Sequence, residues 1–214
     1  MQGQIPTINK WVARREFAIR AARANAGPTG WRYEHLRGIH EAFDYLPLTN
    51  LVEDVVQANV SYHIRPLLGI SRLIGLEKTD EDGNLTGEVQ PIAIGEILRR
   101  WITRALCFQL REQSMEKLSP YQYAVGIASG QDKLLAAIRT FLASGAADEK
   151  RVVISLNAKN GLKIISCQAT LERVNSLFPE LTEFLLQWYG ELPDLWFAHE
   201  DGLVRIIKNA EGTQ

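Results

Sequence analysis

The sequence predicts an α+β protein, rich in helix at its start, with a β-hairpin near the middle, a further strand, and a second hairpin towards the end. Apolar residues recur at helical spacing in several segments, and polar turns at Asp82-Gly83 and Asp201-Gly202 interrupt strand-like runs. These elements follow one another without strict βαβ alternation, which points away from a parallel α/β fold. With 214 residues, 46% hydrophobic and 23% charged, the chain suffices for an ordinary core in one large or two small domains.

The first helix is predicted over Trp11 to Asn25, where WVARREFAIRAARAN interleaves Trp11, Phe17, Ile19 and several Ala with Arg14, Arg15, Arg20 and Arg23. NAGPTG stops it, and Pro28-Thr29 opens a second helical segment, WRYEHLRGIHEAFDYL, which Pro47 ends. Thr49 is placed to cap a third helix to about Tyr62, with Leu51, Val52, Val55, Val56 and Ala58 turned inward. After Arg65-Pro66, ISRLIGLEK (70–78) and EVQPIAI (88–94) read as strands around the polar tip TDEDGNLTG. From Gly95 one long helix is expected up to Pro120, then an irregular connector over 119–130 and a helix from Gln131 to Ala143.

Arg151 to Leu156 reads as a strand, followed by a turn over Ala158 to Lys163. Ser166 caps a helix to Leu177, and Pro179 starts another through Tyr189. LWFAHEDGLVRIIKN (195–209) is the second hairpin.

A formal net charge of -1 supplies no global field to gather nucleic acid, so such binding would need a local concentration of Arg and Lys. Cys107 and Cys167 lack metal-ligand spacing and read as unpaired intracellular thiols. MQGQIPTINK has no apolar core or cleavage site, and no stretch reaches the length of a membrane span. The expectation is an intracellular soluble chain, nuclear or cytoplasmic, without membrane association.

Alternation along 151–157 places Val152, Ile154 and Leu156 on one side and Val153, Ser155 and Asn157 on the other, so a polar tip ends the strand where a carboxylate would serve a metal. No G-x-S-x-G occurs, no Cys-His pair lies close in sequence, and the His residues, such as His35, read as surface or packing side chains.

GPTGWRYEHL (27–36), RLIGLEK (72–78), QPIAIGEILRR (90–100), QYAVGIASG (122–130), ISLNAKNGLKIIS (154–166) and IKNAEGTQ (207–214) follow one another in order. Together they resemble reverse transcriptases, RNA-directed DNA polymerases, of the non-long-terminal-repeat retroelement type. The resemblance covers residues 27–214 and implies helix-rich fingers with a β-hairpin plus an incomplete palm sheet of the right-hand polymerase type. It divides the chain into an N-terminal helical region (1–64), fingers-like hairpin and helices (65–150), and a partial palm (151–214).

In that family the first palm strand ends in an Asp that binds both catalytic magnesium ions, and the matching position here is Asn157. The resemblance also places Leu162 where an aromatic side chain blocks a ribose 2'-hydroxyl, and Gln90 where an Arg precedes Pro-Ile. Lys78 is implied to meet phosphate oxygens, although by itself it reads as a solvated strand-end charge. Gly212 matches the first Gly of a segment that positions template and nucleotide, after which the family's aromatic-x-Asp-Asp turn is expected. No Asp-Asp pair occurs in these residues, and Asp80 and Asp82 read as solvated turn formers.

The resemblance therefore implies a polymerase fragment without activity and without a cofactor of its own, magnesium belonging to intact family members. It further implies a palm edge open to self-association or to a complementing chain. A different reading makes the chain a non-catalytic RNA- or DNA-binding module for a primer-template, using Arg14, Arg15, Arg20 and Arg23 with Arg99, Arg100 and Arg104. Against it, these Arg read as side chains that cover apolar surface or pair with Glu16, Glu96 and Glu112. A third reading is an assembly scaffold built on the palm edge.

Overall fold

The computed structural model describes residues 7–8, 25–43, 46–146, 149–156, 165–191, 193–199 and 201–209. The expected helix over 11–25, the turn over 158–163, and Asn157, Leu162 and Gly212 lie outside these residues. Among the described residues the protein is a mixed α+β structure, with eight α-helices and one four-stranded sheet. It forms two compact units, one of residues 1–106 with 162–214 and the other of residues 107–161.

In the first unit, α1 (Tyr33–Phe43) and α2 (Leu46–Val56) are followed by the short α3 (Arg65–Gly69). Pro47 does not end a helix. It is the second residue of α2, where its missing N–H costs nothing, and Thr49 lies inside the helix instead of capping it. Val52, Val55 and Val56 are buried as the spacing predicts, whereas Leu51 faces solvent. The helix stops early because Ala58 adopts φ 58, and the Asn59 N–H then returns to the Asp54 carbonyl.

β1 (Ser71–Thr79) and β2 (Leu85–Gly95) form the first hairpin, from Ser71 opposite Gly95 to Thr79 opposite Leu85. β3 (Asp194–Ala198) and β4 (Val204–Lys208) form the second. Their turns close as expected, with Gly83 and Gly202 at positive φ, where a side chain would be strained. The two hairpins are not separate. Ser71, Arg72 and Leu73 pair in parallel with Leu195, Trp196 and Phe197, giving the strand order β2-β1-β3-β4.

α4 (Ile97–Gln109) buries Ile97, Leu98, Trp101, Ile102, Ala105 and Leu106, the stripe that a 3.6-residue period requires. Each large member contributes about 1.5–3 kcal/mol by leaving water. The expected single long helix is broken. Leu110 leaves helical geometry, and α5 (Arg111–Leu118) buries no residue, so the apolar stripe that holds α4 does not continue.

α7 (Cys167–Leu177) starts where Ser166 accepts the Ala169 N–H, as expected of its cap. A 3₁₀ turn at Pro179–Leu181 leads into α8 (Thr182–Tyr189), which buries Phe184, Gln187 and Trp188.

The second unit contains α5 and α6 (Gly130–Ala143). Arg111 bridges to the Gly126 carbonyl with two donors at 2.9 and 2.7 Å, fixing the irregular connector. Residues 151–156, expected as a strand, form none. Arg151 instead ties the end of α6, donating to the Phe141 carbonyl and Ser144 hydroxyl and pairing with Glu149. β-branched residues favour extended backbone, but a strand also needs a neighbouring ladder, and none is formed here. Ile154 and Leu156 are 76% and 90% exposed.

Candidate functional site

The residues expected to carry function fall into different environments. Lys78 stands near the far end of the β1-β2 hairpin, where its ammonium pairs with Glu88 Oε2 at 2.8 Å, both side chains being exposed. Gln90 is exposed on β2, opposite Leu76. Both polar side chains are therefore on one exposed hairpin. The Lys78 charge is partly compensated, and an exposed pair of this kind holds the fold by less than about 1 kcal/mol.

The tip itself is organised by Asp80. Its Oδ1 accepts the Asn84 N–H at 2.8 Å and the Asp82 N–H at 3.0 Å. The Asn84 backbone hydrogen bond is the main reason its carboxyl sits below the ordinary value of 3.8, with the Asn84 side chain and the other tip amides adding to it. Asp80 is thus the solvated turn former that the sequence indicates. Among the described residues no group of His, Cys, Asp or Glu side chains is placed to hold a metal ion.

The basic residues of α4 separate. Arg104 is exposed, while Arg100 donates to the Asn25 carbonyl at 2.9 Å. Arg99 differs from the expected phosphate contact, because its side chain turns inward. It donates to the Gly69 carbonyl and to Ser71 Oγ, both at 3.0 Å, and its guanidinium lies 5.8 Å from the Trp188 ring centre. Burial lowers its pKa, opposed by the charges of Tyr189 and Glu96. A phosphate contact would require it to abandon both partners. Arg14, Arg15, Arg20 and Arg23 lie outside the described residues.

Glu96 acts on Arg99 through its charge, while its carboxylate oxygens hydrogen-bond to Thr29. It is buried, accepting the Thr29 N–H at 2.8 Å and the Thr29 hydroxyl at 2.7 Å. The GPTG turn is thereby docked on the start of α4, and a Cβ on Gly27 would meet the Glu96 Cα and the Gly95 carbonyl at 2.9 Å. That stretch entered the resemblance as a motif. Its local chemistry is that of a fixed turn.

Sequence reasoning missed a cleft in the first unit, walled by α3, α8 and the start of β3, whose lining includes Tyr62, Arg65, Gln187, Trp188, Asp194 and Lys208. The only signal was the Arg65-Pro66 break, because these residues come from distant parts of the chain. Cys107 and Cys167 are not joined in a disulfide. Among the described residues no helix is long and apolar enough to cross a membrane.

Compared with models of known protein families and with curated protein sequences, the chain matches none.

Proposed function

We propose that this chain is a reverse-transcriptase-like protein of the non-long-terminal-repeat retroelement type, with fingers and part of a palm, that binds nucleic acid without polymerising it. The observation that carries the reading is the hairpin. RLIGLEK and QPIAIG occupy its two facing strands, as a fingers element that folds over a triphosphate requires, and Lys78 stands towards its exposed end. The inactivity rests on Asn157. A neutral amide is a poor ligand for a hard dication that prefers carboxylates, so this donor does not fit the magnesium pair of active relatives.

In this reading Gln90 lacks the planar fork of donors that Arg offers a phosphate, and Leu162 leaves space beside a ribose 2'-hydroxyl. Arg104 and the Arg residues of 11–25 serve as backbone contacts, and Arg99 takes no part. The test is fluorescence anisotropy of a labelled RNA-DNA primer-template, titrated at several salt concentrations with and without magnesium. Binding that weakens steeply with salt and ignores magnesium is expected. Absence of binding at low salt overturns the reading.

A second reading, a scaffold for protein assembly, is favoured by one specific observation. Val152, Ile154 and Leu156 in the second unit are exposed together with Leu134, Leu135, Phe141 and Leu142 of α6, an unusual density of apolar surface. A stable complex with another chain that survives nuclease treatment supports it.

A further inference from the structure

The cleft in the first unit has a volume of about 130 Å³, room for one small ring. Four polar atoms of its lining residues have no hydrogen-bond partner among the described residues: Arg65 Nε, Gln187 Oε1, Trp188 Nε1 and Asp194 Oδ1, the last of which is held instead by the Lys208 ammonium. Gln187 and Trp188 are only 8% and 4% exposed, so water does not readily compensate them. The Gln187 amide cannot simply turn over. Its Nε2 donates to the carbonyls of Val55 at 2.6 Å and Phe184 at 3.1 Å, and rotation would lose both bonds. Its oxygen therefore stays an acceptor in need of a donor.

Asp194 and Lys208 pair at 2.5 Å, which leaves the Arg65 guanidinium and the exposed Glu191 carboxylate as the other charges of the lining. Tyr62, 68% exposed and edge-on to His63, offers an aromatic ring at the cleft surface. The unmet demand is thus two donors and one acceptor beside an aromatic ring. A carboxylate or phosphate would suit the donors but set an anion against the Gln187 oxygen. A planar ring with two carbonyls flanking one N–H meets all three.

We propose that the cleft binds a single uracil-type base, its carbonyls accepting from Arg65 and Trp188, its N–H donating to Gln187, and its face stacking on Tyr62. Arg65 is half-buried on a long flexible stem and is the side chain that moves to admit the ring. The base is either that of a free nucleotide or one splayed from a single strand. The proposal does not rest on the polymerase reading, since every residue it uses is placed without reference to Asn157 or the hairpin.

The experiment follows the Trp188 indole and Gln187 amide signals of isotope-labelled protein by NMR, with Trp188→Phe assigning the former. Uridine 5'-monophosphate, adenosine 5'-monophosphate and oligouridine are titrated separately. Saturable shifts of both signals are expected with uridine monophosphate and weaker ones with adenosine monophosphate. Tyr62→Ala, at an exposed position, is expected to weaken binding roughly fivefold to a hundredfold, the range for one lost base stack. Tighter binding of oligouridine assigns the base to a strand, and equal binding to a free nucleotide. No saturable shift with either uridine ligand, equal affinity for adenosine monophosphate, or an unchanged affinity in Tyr62→Ala overturns the proposal, whatever the primer-template result.

Discussion

Arg99 Nη2 donates to Ser71 Oγ at 3.0 Å, joining the buried side of α4 to the first residue of β1. The same guanidinium holds the Gly69 carbonyl, so one side chain ties α3, the sheet and α4 together. Hydrogen bonds to a charged group are worth more than neutral ones, and removing a buried charged partner also leaves its acceptors unmet. Arg99→Met is expected to lower stability by about 3 kcal/mol, read from the urea midpoint at unchanged m. Arg104→Met, at an exposed position, is expected to change it by less than about 0.5 kcal/mol. Equal effects would deny Arg99 its linking role.

Thr29→Val keeps the shape of the GPTG turn but removes the hydroxyl that Glu96 Oε2 accepts at 2.7 Å. Because Glu96 is buried, the lost bond is expected to cost about 1.5–3 kcal/mol. Thr29→Ser retains the hydroxyl and should recover most of it. Thermal unfolding of the two variants, compared with the parent chain, measures the difference.

Ala58 ends α2 at φ 58, a conformation that an L side chain adopts at a cost and glycine does not. Ala58→Gly is expected to stabilise the protein by up to about 1 kcal/mol, despite the greater freedom it gives the unfolded chain. A lower urea midpoint for the variant would contradict this.

The Asp80 carboxyl is held below its ordinary value of 3.8 in the folded hairpin, first by the Asn84 backbone hydrogen bond. For an acid shifted in this direction, the stabilisation of the tip is fully present above the ordinary value and fades as pH falls through the lowered one. Protection of the Asp82 and Asn84 amides, measured as exchange relative to the intrinsic rate at each pH, is therefore expected to fall only in acid, below about 3.8. Asp80→Ala should lack that protection at every pH.

The polymerase reading makes two predictions. Asn157→Asp is expected to yield no magnesium-dependent primer extension, because one restored carboxylate does not assemble a two-metal site. Extension above background by the purified variant would refute it. Glu88→Ala releases Lys78 from its ion pair, and is expected to tighten primer-template binding and steepen its salt dependence by somewhat less than one unit. An unchanged salt slope would leave Lys78 as a solvated strand-end charge.

The sequence by itself determined what local chemistry controls. Ser166 caps α7, the Asp-Gly turns close both hairpins, and the apolar stripe from Ile97 to Leu106 makes a buried helix face, each because the decisive contacts are a few residues apart. Tertiary structure decided the rest. That β1 lies parallel to β3 depends on residues more than a hundred positions apart, and no turn signal encodes such a pairing. Val152 to Leu156 has the composition of a strand yet forms none, because a ladder requires a partner that propensity cannot supply. Arg99 reads in sequence as one more basic side chain, and only the approach of Gly69 and Ser71 turned it inward. The cleft was invisible for the same reason: Tyr62, Arg65, Gln187 and Trp188 share no local pattern until the helices and the sheet bring them together.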